Sequence, residues 1–278
     1  MKAIYPTSVL MCPPDYFDIE YEINIHMHKE VQVNPKKAME QWLALKKIYE
    51  DLGIFVETLE AVKHLPDMVF TANAGFLFDK TVLLSSFKHI KERQKEVPHF
   101  EKKFQRLGFK TKQMKRYLPN GDYFEGHGDA LRWGNTTVFG YGSHRSTLTG
   151  VTIASGIAGV EERSVFLQLV DPRFYHLDTC FCPIGEFALY YPGAFGINSR
   201  DTLERAWNTV EISEEDAVNF VCNGVPIQMD DDSWKFIVSK PTADLREILE
   251  KKGIEIIEHD ASEFKKSGGN QRCLTIFL

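Results

Sequence analysis

Cys273 follows Ser267-Gly268-Gly269-Asn270-Gln271-Arg272 and precedes the largely apolar Leu274-Thr275-Ile276-Phe277. A thiol attacks as the thiolate, which it becomes only beside a base or a cationic neighbour. Flexible glycines ahead of a terminal strand would let this thiol sit at a strand entrance facing a cleft, and Arg272 offers a nearby positive charge. A second group lies in Tyr175-His176-Leu177-Asp178-Thr179-Cys180-Phe181-Cys182. If this segment is a strand, His176, Asp178, Cys180 and Cys182 all point to one face. A charged His–Asp pair in a sealed core is costly unless it is paired, so a polar pocket is the cheaper explanation. The third group is Phe124-Glu125-Gly126-His127-Gly128-Asp129, two carboxylates in a glycine-rich stretch whose backbone can approach a ligand closely. A thiol, an imidazole and several carboxylates are the parts of a thiol hydrolase acting on a cationic substrate. Singly, each group has a plainer reading: an inert thiol, a structural His–Asp pair, a turn with solvated acids.

The Cys180-x-Cys182 pair beside His176 raises the question of zinc, but a strand sets these groups in a line rather than around a tetrahedron, and buried structural thiols are the simpler expectation. No metal or cofactor is expected. The five cysteines are odd in number and irregularly spaced, and the N-terminal Met1-Lys2-Ala3-Ile4-Tyr5 lacks a basic, then apolar, leader pattern; a reduced, cytoplasmic protein is expected. With 33 Lys and Arg against 39 Asp and Glu, the net charge of −6 argues against nucleic acid and anionic membrane surfaces as partners. No apolar run approaches the ~20 residues of a membrane span. A small cationic substrate is compatible with this balance, and a homo-oligomer is left open.

These groups must be positioned by a scaffold, and the sequence shows a helix-then-strand grammar. Asn34-Pro35 caps and opens a helix with Ala38, Trp42, Leu45, Ile48 and Leu52 at helical spacing until Gly53, and Ile54-Phe55-Val56 reads as the following strand. Pro241 to Gly253 repeats it, with Leu245, Ile248 and Leu249 leading into Ile254-Glu255-Ile256-Ile257. Further strands are predicted at Thr81 to Ser85, Thr136 to Tyr141, Val165 to Val170, Ala188 to Tyr191 and Lys235 to Val238. The elements recur roughly every 50 to 60 residues without residue-level repetition. No linker or low-complexity segment divides the chain, so residues 1–278 are expected to form a single domain.

In chain order the segments resemble the guanidino-group-modifying superfamily of arginine deiminases, dimethylargininases and amidinotransferases. The resemblance is strongest to the arginine dihydrolase catalytic domain of cyanobacterial type, and covers nearly the whole chain. It rests on Leu10 to Asp15, Tyr21 to Asn24, Asp67 to Gly75, Lys91 to Gln94, Phe124 to Leu131, Phe174 to Pro183, Phe220 to Asn223 and Gly268-Gly269-x-x-x-Cys273. The resemblance implies an α/β fold, a five-bladed α/β propeller (the pentein fold) with pseudo-fivefold symmetry and a central site. It also implies roles: Cys273 as nucleophile on the guanidinium carbon, forming an S-alkylthiouronium; His176 as acid and then base; Glu125 and Asp178 as guanidinium holders. Asp129 is a further acid in the same motif, and Arg93 and Arg145 are candidates for the substrate α-carboxylate.

Asn73 departs from the arginine deiminases, which carry an Asp there, and agrees with the dihydrolase pattern, as does Asn24. A neutral amide should weaken the preference for a cationic guanidinium over a ureido group, so that a citrulline-like intermediate could react again. The expected net reaction is arginine to ornithine, carbon dioxide and two ammonia. Ile25-His26-Met27 stands where Pro-Trp-Met usually follows the first Asn, which alters the pocket rim. The cyanobacterial dihydrolases also run on beyond the position of Leu278, and activities that depend on that extension are expected to be missing. The competing readings are a deiminase stopping at citrulline, a dimethylargininase and, from another class, a catalytically silent arginine sensor. A lid spanning Tyr5 to Met27 is a further expectation.

Overall fold

The computed structural model describes residues 2–206 and 208–278. In chain order the strands are β1 (Ala3–Tyr5), β2 (Ser8–Met11), β3 (Phe55–Thr58), β4 (Gly75–Phe78), β5 (Thr81–Leu84), β6 (Lys110–Gln113), β7 (Ala130–Trp133) and β8 (Thr136–Gly142). They continue as β9 (Ser164–Leu169), β10 (Phe181–Ile184), β11 (Phe187–Tyr190), β12 (Thr209–Glu211), β13 (Val225–Met229), β14 (Trp234–Val238), β15 (Ile254–Glu258) and β16 (Ile276–Phe277).

The strands form five small sheets: β16-β2-β3, β4-β5-β6, β7-β8-β9, β10-β11-β12 and β1-β13-β14-β15. Each repeats one plan. An antiparallel pair is followed by a parallel third strand, reached through a helical crossover. The first sheet is built from both chain ends, Ile276 opposite Leu10 and Phe277 opposite Val9. Five such units form the α/β propeller of the pentein fold, and the recurrence in the sequence is the recurrence of the unit.

The crossover helices arise where the sequence places them. In helix Pro35–Asp51 the Asn34 side chain accepts the Lys37 N–H, and Pro35 occupies the first turn, where a missing donor costs nothing. The helix buries Ala38, Trp42, Leu45 and Tyr49 against Val9, Met11, Val225 and Ile237 of two neighbouring sheets. Helix Ala243–Lys251 is capped by Thr242 and feeds β15. Among the described residues no helix is long and apolar enough to cross a membrane.

Four of the inner strands are entered through tight 3-10 turns: Thr71–Ala74 before β4, Gly126–Gly128 before β7, Leu177–Thr179 before β10 and Val221–Asn223 before β13. The bonds Leu274 N–H to Asn270 O and Thr275 N–H to Arg272 O make the corresponding turn before β16. These turns gather at one end of the ring and the antiparallel hairpins at the other. One local expectation fails here. Tyr175 to Cys182 is not a continuous strand, because Thr179 N–H and Cys180 N–H bond back to His176 O and Leu177 O, and the strand begins only at Phe181. His176 and Asp178 therefore leave the chain from a turn, while Cys180 and Cys182 enter the apolar core.

Candidate active site

The turn before β16 sets the thiol. Asn223 Oδ1 accepts the N–H groups of Asn270 (2.9 Å) and Cys273 (3.1 Å), its backbone oxygen accepts that of Arg272, and its Nδ2 donates to Asp178 O at 2.9 Å. One buried amide thus fixes two turns against each other. Cys273 Sγ donates to Asp178 Oδ2 at 3.4 Å. Burial first, then the Asp178 carboxylate, pushes the thiol well above its usual range, and burial likewise raises Asp178. At rest the pair holds its proton. Asp178 Oδ1 is buried with no hydrogen-bond partner, an acceptor left unspent beside the Cys273 thiol.

His176 is held on both sides of its ring. Nε2 lies 3.0 Å from Glu125 Oε2 and 3.8 Å from Asp129 Oδ2, and Nδ1 lies 3.5 Å from Asn73 Nδ2. The amide orientation of Asn73 is set by Arg93 Nη1, which can only donate and does so to Asn73 Oδ1 at 3.0 Å. Asn73 Nδ2 therefore faces His176, so Nδ1 accepts and Nε2 carries the proton towards Glu125. Glu125 Oε1 takes the Lys88 N–H at 3.0 Å, and Arg145 Nε approaches Oε2 at 3.4 Å. Burial alone would raise the Glu125 carboxyl; Arg145 and His176 outweigh it and hold Glu125 at about 2. Asp129, by contrast, is raised by burial to about 6, although it accepts from Ser146 Oγ at 2.6 Å and from Leu177 N–H at 3.0 Å.

The glycines of the Glu125 motif serve the ring rather than a ligand. A Cβ on Gly128 would stand 2.5 Å from Asn73 Nδ2 and 3.1 Å from His176 Cγ. Gly126, at φ +59°, presses on the Gly75 backbone, where a Cβ would come within 2.6 Å of the carbonyl oxygen. Close approach between successive turns is what brings the five segments onto one axis.

Cys273, His176, Glu125, Asp178, Asp129 and Asn73 are accordingly brought together. Arg145 is at the edge, its Nη1 donating to Ile23 O at 2.8 Å, its guanidinium 4.8 Å over Tyr175 and its Nε buried without a hydrogen-bond partner. Arg145 and Asn24 line a cavity of about 340 Å³ with Ile23, His89, His144 and Tyr175. The Asn24 side chain is spent on structure, donating to Ser267 O near the opposite end of the chain and accepting the His26 N–H of its own loop. Arg93 is bound in a fork to Glu96 at 2.8 and 2.9 Å and also donates to Asn73 and to Asp67 O, leaving one of its five donors. Arg272 does not face the thiol; its guanidinium sits 4.3 Å over Phe277. Sequence reasoning did not single out Asn223, Glu96 or Ser146. Only the position of Asn223, ending a turn before Gly224 as Asn73 nearly does before Gly75, carried a signal.

Residues 13–278 match the family profile of N,N-dimethylarginine dimethylhydrolase, eukaryotic. The bifunctional arginine dihydrolase/ornithine cyclodeaminase AgrE of Nostoc sp. is 40% identical over 274 residues, which cover 96% of this chain and 37% of that protein. The N(G),N(G)-dimethylarginine dimethylaminohydrolase of Mycobacterium tuberculosis is 31% identical over 268 residues, covering 96% of this chain and 84% of that one. The crystal structure of the N-terminal domain of ArgZ, a cyanobacterial arginine dihydrolase, bound to substrate, superposes with a TM-score of 0.88 at 39% identity over 97% of each chain. This chain spans about a third, 37%, of the length of the bifunctional curated relatives it matches. The chain belongs to the dimethylarginine dimethylhydrolase family, within the pentein superfamily of guanidino-group-modifying enzymes.

Proposed function

We propose that the chain is a cysteine-dependent hydrolase of the arginine guanidinium group, and that it carries arginine through to ornithine, carbon dioxide and two ammonia. The observation that carries the first part is the unspent Asp178 Oδ1 beside the Cys273 thiol, with Arg145, ion-paired to Glu125 but with Nε free of a hydrogen bond, across the site. L-arginine supplies the complement of both, donors at one end and a carboxylate at the other. A guanidinium on Asp178 would bring its carbon to Cys273 and place positive charge beside a thiol that burial keeps protonated, favouring the thiolate only when substrate is present. Attack on the guanidinium carbon forms the C–S bond as the thiol proton passes to His176; the imidazolium then protonates the departing nitrogen as its C–N bond breaks, leaving ammonia, the S-alkylthiouronium and a neutral imidazole. The neutral imidazole then takes a proton from the attacking water. Glu125, already bonded to His176 and the Lys88 amide, acts chiefly by orienting the imidazole, and Asp129 stabilises its protonated form.

Asn73 and the 40% identity to arginine dihydrolases support the two-step product. With an amide rather than a carboxylate at this position, the neutral ureido group of citrulline loses less relative to arginine and can undergo a second round. Consumption of two waters balances ornithine, carbon dioxide and two ammonia. The family profile favours dimethylarginine as the rival substrate. The test is mass spectrometry of acid-quenched protein during turnover of L-arginine. An adduct on the peptide carrying Cys273, of the mass of the thiouronium and absent from Cys273→Ala, is expected. Dimethylarginine giving the adduct while arginine does not would transfer the reading to the rival substrate, and no adduct with either would contradict the thiol mechanism.

A further inference from the structure

At the hairpin end of the ring, away from the thiol, lies a second and larger cavity of about 860 Å³. Its walls come from the β7-β8, β10-β11 and β13-β14 hairpins and from the far end of β16, with Trp133, Trp234 and Phe187 among them; its floor reaches Asp178 and Arg272. Neither Cys273 nor His176 nor Glu125 lines it. Arg272 is only 6% exposed and forms no ion pair among the described residues; the Asp178 carboxyl, also in the cavity floor, feels its charge from farther off. One hydrogen bond of its guanidinium is made, Nη1 to Thr275 O at 2.7 Å, and one face covers Phe277. Arg272 is also among the residues that line the cavity. A buried charge without a partner is costly, so a cationic fork facing a cavity is matched to an anion that supplies the missing acceptors. At the mouth the charges are mixed, Arg132 and Lys252 against Glu186 and Asp232, and all four are exposed. Inside, Asp178 is engaged with the thiol.

We propose that this cavity binds a small organic carboxylate, its anionic end on the Arg272 guanidinium and its apolar body against the wall formed by Trp133, Trp234 and Phe187. A carboxylate fits the planar fork in bidentate fashion, and the aromatic wall favours an acid with an apolar body over a bare inorganic anion. The site meets the one for the guanidino substrate only at Asp178, in its floor, and does not depend on the reading of the activity.

The test is a titration of the native protein with benzoate, followed by the indole N–H resonances in NMR spectra, with acetate and inorganic phosphate as comparison anions. Trp133 and Trp234 signals are expected to move saturably with benzoate, while Trp42, packed in helix Pro35–Asp51 among other core residues, stays in place. Benzoate should bind more tightly than acetate or phosphate. Addition of saturating L-arginine to Cys273→Ser should leave the benzoate shifts in place. Arg272→Gln should weaken binding at least about tenfold, the loss of a charge-assisted bidentate contact. Trp234→Ala, at the cavity wall, should weaken it by about threefold or more and serves if Arg272→Gln does not fold. Absence of saturation in the native protein up to about 100 mM, benzoate bound no better than phosphate, shifts abolished by arginine, or native affinity in Arg272→Gln overturns the proposal.

Discussion

At the scale of single residues, the site is a set of protons assigned by geometry. Arg93 fixes the Asn73 amide, Asn73 fixes the His176 tautomer, and Glu125 accepts the hydrogen bond of the imidazole N–H. Cys273→Ala should leave the fold intact and lower kcat by on the order of 10⁴ or more, measured by ammonia release, because the attacking atom itself is gone. Asp129, raised by burial to about 6, gives a pH signature. Below that value it is protonated and cannot stabilise the imidazolium, so kcat/KM should rise as pH climbs through about 6 and level off above it. Asp129→Asn should lower the plateau and remove that acidic limb; a limb at the same pH in the variant would assign it to another group. Asn73→Asp should shift the product towards citrulline, checked by amino-acid analysis, and unchanged ornithine output would break the link between this amide and the second hydrolysis. The sequence made the nucleophile, imidazole and carboxylates legible as residue types. It could not show that Arg93 is spent on Glu96 or that Arg272 faces away from the thiol, since both depend on how the short turns carrying them are folded.

At the scale of elements, the 3-10 turns decide whether these residues meet. Gly128→Ala forces a Cβ into Asn73 Nδ2 and His176 Cγ, and should cost about 1–3 kcal/mol of stability together with most of the activity, read by thermal unfolding and turnover. A variant as stable and active as the native chain would mean that the turns are looser than described. Helices and parallel strands were legible because their apolar spacing and caps are local: Asn34-Pro35 opens a helix wherever it is placed. The turns were not. Tyr175 to Cys182 alternates polar and apolar residues as a strand does, and only backbone bonds from Thr179 and Cys180 reverse it. The expected lid, Tyr5 to Met27, takes in a paired strand. Ser8–Met11 is β2, paired on both sides, whereas residues 12–34 contain no helix or strand and cross to Arg145 and Ser267 through Ile23 and Asn24. Saturating arginine should slow proteolysis within residues 12–34, and equal cleavage with and without it would argue against closure there.

At the scale of the whole molecule, the ring closes by pairing β16 with β2, so the strand that follows the Cys273 turn is anchored across that closure. Deleting Ile276–Leu278 should abolish turnover and lower the unfolding temperature, because Cys273 then loses the strand that anchors its turn. The pseudo-fivefold plan was legible only as loose recurrence, since each unit keeps its strand–helix order while the turns carry four residue types, Asn73 and Asn223, Gly128, Asp178 and Cys273. That divergence is what permits one repeated scaffold to assemble an asymmetric site. The most direct test of the central claim is to incubate the purified protein with L-arginine, without added metal, and to quantify ornithine, citrulline, ammonia and urea over time. Ornithine with two ammonia per arginine, no urea and complete dependence on Cys273 is the predicted result; turnover that survives Cys273→Ala, or none at all with arginine, would contradict it.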